Sequence, residues 1–338
     1  MTVISACGKP STAVRSTSST SPHATAAPVG ATASSSPTPA VVAITNALGA
    51  SISFTCRLPI VTGGQTPEAG FIAFPAGSFA KDPSGNIKPK TFGLAYDRLY
   101  SRWLPVDWRS VSDDGSHYAY ATYSDTFPSN GATSVIHIVN VATGADRIVL
   151  RTGQYVITDY VGAGIYLTAW VGGHDGPGPQ VGWVIDPVAG SLRALIGGQK
   201  YGYWIGSGAG WRMDYNPADP TVHQGMTGPN RIIRVDLASG AEGTWFYQQG
   251  ADGVQLEGFD RLGHPIIESE IGSVSTMWLL SDASHRSKLF SAPQFFNGAM
   301  ADLHGIWFSD GTATYLYNAA SGLQKVSVTG GQIAGGCH

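Results

Sequence analysis

Two stretches of the chain place aromatic rings beside groups that can hold or exchange protons. Trp170 is followed by His174 and Asp175, and Trp211 by Asp214, Tyr215, Asp219 and His223. Flat rings stack on the apolar faces of sugars and peptide groups while carboxylates and imidazoles fix orientation, so this mixture suits a glycan or peptide ligand. We take Trp170, His174, Asp175, Trp211, Asp214, Tyr215 and His223 as candidate ligand-binding residues. The same groups, with Glu257 and Glu268, are also the acids and bases a glycan-active hydrolase or lyase would need, and that is the alternative function. Asp159, Glu257 and Asp302 could together offer oxygen ligands to a hard cation such as Ca²⁺. Side chains alternate in direction along a strand, however, and the sequence does not say which of the three share a face, so no metal site and no cofactor are assigned.

Recognisable catalytic motifs do not survive inspection. Ser78-Phe79-Ala80-Lys81 has the Ser-x-x-Lys spacing but reads as a strand and lacks the partner motifs that give it chemistry. Gly206-Ser207-Gly208-Ala209-Gly210 lacks the strand-to-helix setting of a dinucleotide loop. Neither a Gly-x-Ser-x-Gly elbow nor a His-Glu-x-x-His pair occurs, and Ser112 to Tyr118 is not a proper sialidase Asp-box. No catalytic residue is assigned, and a binding role is favoured over an enzymatic one.

Composition describes the scaffold that must carry these residues. Of 338 residues, 43% are hydrophobic but only 13% are charged, about half the usual globular share. The 44 glycines, 20 prolines, 14 tyrosines and 9 tryptophans point to many short strands joined by tight turns. A formal net charge of -3 gives no reason to expect nucleic acid as a partner. No run of about 18 uncharged apolar residues marks a membrane span.

Beyond residue 50 the chain repeats. Glycine turns lie between apolar strands at Ser112-Asp113-Asp114-Gly115, Gly162-Ala163-Gly164, Gly208-Ala209-Gly210, Asp260-Arg261-Leu262-Gly263 and Asp302-Leu303-His304-Gly305, spaced on average by about 47 residues, as in propeller blades. A second turn recurs at Asn140 to Gly144, Asp236 to Gly240 and Asn318 to Gly322. The reading is all-β: a six-bladed β-propeller of four-stranded antiparallel blades at 56–105, 106–152, 153–197, 198–248, 249–292 and 293–330. On this count a seventh blade would need chain that is not there. The loops between second and third strands, at Asp125 to Thr133, Gly172 to Gln180, Tyr215 to Pro229 and Ser269 to Ser275, gather on one rim, which places the candidate ligand residues together.

Ser112-Asp113-Asp114-Gly115 followed by Tyr118-Ala119-Tyr120, with Ser309-Asp310-Gly311 as a weaker echo, resembles the Ser-Pro-Asp-Gly repeat of the TolB-like, WD-type bacterial propellers, with Asp113 in place of the proline. The resemblance implies the fold. It does not imply one function, since such propellers include scaffolds, ligand binders and enzymes.

The amino-terminal segment and the three cysteines complete the reading. Ile4-Ser5-Ala6-Cys7 resembles the lipobox of bacterial lipoproteins, which implies lipidation at Cys7, although only six residues precede the cysteine. Residues 1–7 are read as a signal remnant, 8–49 as a disordered Ser/Thr/Ala/Pro tether and 50–338 as the propeller domain. A ring brings its ends together, so in an oxidising exported setting Cys56 and Cys337 are placed to form a disulfide, two unpaired thiols being the alternative. The whole reads as a monomeric, extracytoplasmic, lipid-anchored or secreted protein that binds a protein, peptide or glycan and meets the membrane only through its anchor.

Overall fold

The computed structural model describes residues 52–63, 66–91, 93–124, 133–162, 164–169, 182–195, 204–221 and 228–338. Cys7, the tether, Trp170, His174, Asp175 and His223 lie outside the described residues. Among the described residues the structure is all-β apart from two single 3-10 turns, at Pro83–Gly85 and Trp108–Ser110. Among the described residues, no helix is long and apolar enough to cross a membrane.

In chain order the strands are β1 (Cys56–Thr62), β2 (Ala69–Phe74), β3 (Ser78–Lys81), β4 (Ala95–Asp97), β5 (Arg102–Leu104), β6 (His117–Tyr123), β7 (Ser134–Asn140), β8 (Asp146–Arg151), β9 (Tyr155–Val161), β10 (Gly164–Ala169), β11 (Gly182–Ile185) and β12 (Leu192–Ala194). They continue with β13 (Trp204–Gly206), β14 (Ala209–Asp214), β15 (Arg231–Asp236), β16 (Glu242–Tyr247), β17 (Gly253–Phe259), β18 (Pro265–Ile271), β19 (Val274–Leu280), β20 (Arg286–Ala292), β21 (Ala299–Ala301), β22 (Ile306–Ser309), β23 (Thr314–Asn318), β24 (Gly322–Ser327) and β25 (Gly331–Ile333). Among the described residues they form antiparallel sheets β9–β12, β13–β16, β17–β20, β21–β24 and β25-β1-β2-β3, each of four strands, a three-stranded sheet β6–β8 and a two-stranded sheet β4–β5. An isolated bridge between Val111 and Tyr118 gives β6–β8 the stub of a fourth, inner strand.

Between successive sheets lies a separate apolar cluster. Ala69 and Phe71 meet Leu94 and Trp103; Ala95 and Leu104 meet Tyr120 and Val139; Ile136 and Ile138 meet Ile165 and Leu167; and Val161 and Tyr166 pack on Ile205 and Ile233. The series continues through Trp211 with Leu256 and Phe290 with Phe308, and returns to its start where Trp307 and Leu316 pack on Leu58 and Ile72. Sheets stacked face to face and closing on the first are a β-propeller.

The first expected blade is corrected. Phe71–Phe74 and the 99–103 segment do not share a sheet. The former lies in β2, between β1 and β3, and the latter forms the β4–β5 hairpin of a separate two-stranded sheet. The cause is at the far end of the chain: β25 pairs with β1 in the register Ile60 opposite Ile333, so three strands from 56–81 already complete a blade. Arg57 and His338 exchange backbone hydrogen bonds of 2.8 and 3.2 Å, and the Cys56–Cys337 disulfide, Cα–Cα 5.6 Å, fastens the same seam. The ring is therefore closed by a shared blade and a disulfide together.

One turn recurs between third and fourth strands. The side chains of Asn140, Asp186, Asp236 and Asn318 each accept the N–H three residues on, at 2.9, 2.9, 2.7 and 2.8 Å. Gly144, Gly190, Gly240 and Gly322 then close each turn at φ +69° to +73°, a conformation costly to any residue with a Cβ. The Asp186 copy went unrecognised in the sequence because Pro187 and Val188 disguise it.

Candidate functional site

Among the described rim residues, the structure separates packing from surface. Trp211 is 1% exposed, edge-on to Trp245 at 4.8 Å and tilted against Phe259, so its ring is core and has no face for a ligand. Its place on β14 next to the sheet β17–β20 explains this: a large ring at mid-strand fills the space between blades. Asp214 sits in an ion-pair network, accepting bonds from Arg212 Nη1 and Arg231 Nη2 at 2.7 Å each, while Arg212 also pairs with Glu242. Burial pulls the Asp214 carboxyl upward, but these bonds outweigh it and hold the group below the usual carboxylate range. Asp219 is buried and takes hydrogen bonds from Thr221, Asn230 and Tyr247, pinning its own loop. Tyr215, 40% exposed, keeps a surface free for contact.

The three inner-strand carboxylates do not converge. Asp159 accepts a two-pronged bond from Arg109, Nε at 2.8 Å and Nη2 at 2.7 Å, and a third from the Ile205 amide at 2.9 Å. It thereby ties three successive sheets together. Burial still raises it to about 6, against the opposing pull of Arg109. Asp302 accepts from Trp307 Nε1 and the Cys337 amide at 2.7 and 2.8 Å, fixing the carboxyl terminus to the last blade. Among the described residues, no three His, Cys, Asp or Glu side chains are grouped to hold a metal ion.

Glu257 remains, and it lines the axis. A cavity of ≈ 250 Å³ is walled by Asp107, Trp108, Arg109, Trp204, Glu257, Asn297, Met300 and Gln332, from five sheets around the ring. Trp108, Arg109 and Trp204 also line a second, wider cavity of ≈ 460 Å³ toward the tight-turn end, with Tyr96, Arg98, Leu99, Phe259 and Gly263. The Arg109 guanidinium lies 3.8 Å from the Trp204 ring centre, and both side chains stand in the wall of each cavity. Leu99 lines the wider cavity and Leu262 precedes Gly263 in its wall, at 67 and 80% exposed. The sequence places the candidate ligand residues on the rim of long loops; the wider opening lies instead among the tight turns. The signal was present as Leu262 within the repeated glycine turn Asp260 to Gly263.

No family model matches the chain, and no curated protein matches it. Among solved structures it is similar to TolB from Acinetobacter baumannii, at 9% identity and a TM-score of 0.45, over 84% of this chain and 65% of that one. It is similar also to the β-propeller domain of the Trilobed protease from Pyrococcus furiosus, at 9% identity and 0.45, over 81 and 86% of the two chains. A third likeness, to a structure of prolyl endopeptidases, has 13% identity and 0.45, over 80 and 46%. The chain thus spans under two thirds of the TolB structure and under half of the endopeptidase. These likenesses carry no functional argument.

Proposed function

We propose that this chain is a non-enzymatic, extracytoplasmic binding protein whose axial channel receives a peptide or glycan end. The observation that carries the reading is the wide mouth itself: a concave, aromatic-lined opening with an apolar collar, on a rigid ring. Rings such as Tyr96 and Phe259 supply area at small entropic cost, and the Arg98 side chain supplies a polar handle. The disulfide supports export, since such bonds persist in oxidising compartments. Lipidation of Cys7 and a monomeric state belong to the same reading. We count seven positions in the ring in place of the expected six: five four-stranded blades, the three-stranded β6–β8 blade and the two-stranded β4–β5 unit, which lies between the first blade and β6–β8.

Arrays of peptides and glycans probed with the full chain test this. Capture that falls at least tenfold in Leu99→Asp/Leu262→Asp, with an unchanged melting temperature, is expected. Capture that survives that change and is lost in Tyr215→Ala would move the site to the opposite rim. Membrane fractionation of wild type and Cys7→Ala tests the anchor, and equal release of both would refute it.

A further inference from the structure

We propose that the ≈ 250 Å³ axial cavity binds a primary ammonium group, a lysine side chain or peptide amino terminus, with Glu257 as its counter-ion. The proposal deepens the channel reading above and rests on it.

The geometry begins with a bulge. Leu256 pairs with Ile267 and Gly258 with Ile266, leaving Glu257 as the extra residue of β17. A bulge bends its strand locally and so re-aims a side chain, and Glu257 lines the axial cavity while only 6% exposed. Its Oε2 accepts the Gly298 amide at 2.7 Å, its one hydrogen bond among the described residues. Behind it Glu268, on β18, is 2% exposed; its Oε1 has the Phe296 amide at 3.4 Å, and the Ser275 hydroxyl is its other polar neighbour.

No described lysine or arginine pairs with either carboxyl. The cavity's own cation, Arg109, is committed to Asp159 and stacked on Trp204. The other carboxylate in the wall, Asp107, already accepts from the Arg109 amide and from Gln332 Nε2. Glu257 is therefore a buried acid with one oxygen turned to a cavity and no counter-charge, an arrangement that costs free energy until a cation arrives.

The chemistry of the wall selects among cations. With Oε2 already accepting the Gly298 amide, Oε1 is the freer oxygen of Glu257, which suits a cation held by a single donor. A divalent metal lacks the necessary grouped ligands among the described residues. An ammonium needs one carboxylate oxygen and a few neutral acceptors, which Asn297 and Gln332 are placed to supply, while Trp108, Met300 and Ile333 give an apolar wall for an alkyl stem. Burial and the nearby Glu268 raise Glu257 to about 8, so at neutral pH an arriving ammonium displaces one proton from it.

Titration calorimetry of the full chain with n-butylamine hydrochloride at pH 7, in two buffers of different ionisation enthalpy, provides the test. Saturable millimolar binding with about one proton released is expected. n-Butanol should bind at least tenfold more weakly, and Glu257→Gln should lose at least tenfold for the amine while unfolding cooperatively. Equal binding of the alcohol, equal binding by Glu257→Gln, or no saturable binding by the wild type would each overturn the proposal. If a captured peptide depends on Leu262 but is indifferent to acetylation of its amines, this proposal fails while the channel reading stands. If capture ignores Leu262, the channel reading itself fails.

Discussion

Replacing Glu257 by Gln should make the protein more stable, and increasingly so as pH rises. The wild-type carboxyl is raised from 4.5 to about 8, chiefly by burial and secondarily by Glu268. A raised acid binds more protons in the folded than in the unfolded state between those values, so stability is present at low pH and lost as pH climbs through the window. Each unit is worth about 1.36 kcal/mol. Linkage between pH 5 and pH 8.5 therefore costs the wild type about 4 kcal/mol that a neutral amide does not lose. The glutamine carbonyl can still accept the Gly298 amide, so little is lost in exchange. Urea unfolding of both proteins at the two pH values reads the difference directly. A gap between variant and wild type that stays constant from pH 5 to 8.5 would refute the argument, because it would mean that Glu257 is ionised in a solvated setting at both.

Three further outcomes follow from the packing. Cys56→Ser/Cys337→Ser should lower stability by about 5 kcal/mol on the chain-entropy model for so long a loop, measured by calorimetry, and in the wild type both thiols should resist alkylation until reduced. Trp211→Ala should cost about 3–5 kcal/mol as a core deletion, whereas exposed Tyr215→Ala should stay within about 0.5 kcal/mol, both by urea midpoint. Asp159→Asn should cost about 3 kcal/mol by stranding Arg109; a loss below about 1 kcal/mol would show that water reaches the pair.

Legibility differed along the chain for physical reasons. The second turn of each blade could be read because only glycine tolerates its left-handed backbone and only Asp or Asn caps it with its own side chain, as at Asn140 and Gly144. Among the described candidate residues, Trp211 was misjudged: a tryptophan before a loop looks the same in sequence whether it faces solvent or the next blade. Asp214 looked like a free acid because its partners Arg212 and Arg231 come from two strands, one of them 17 residues away. The β4–β5 unit was hidden because a strand more than 200 residues away, β25, completes the first blade.

The sequence by itself determined the all-β class and the repeat of turns, because turn chemistry is local; it made Cys56 and Cys337 candidates for pairing, because a ring of repeats must bring its ends together, and the structure joined them. Which carboxylate faces the axis was decided only by the tertiary structure. Asp159, Glu257 and Asp302 are alike as residues, yet one is neutralised by an arginine on a neighbouring sheet, one is spent on the carboxyl terminus, and one is turned by a bulge toward the channel. Those outcomes depend on contacts between sheets, and no periodicity within a strand encodes them.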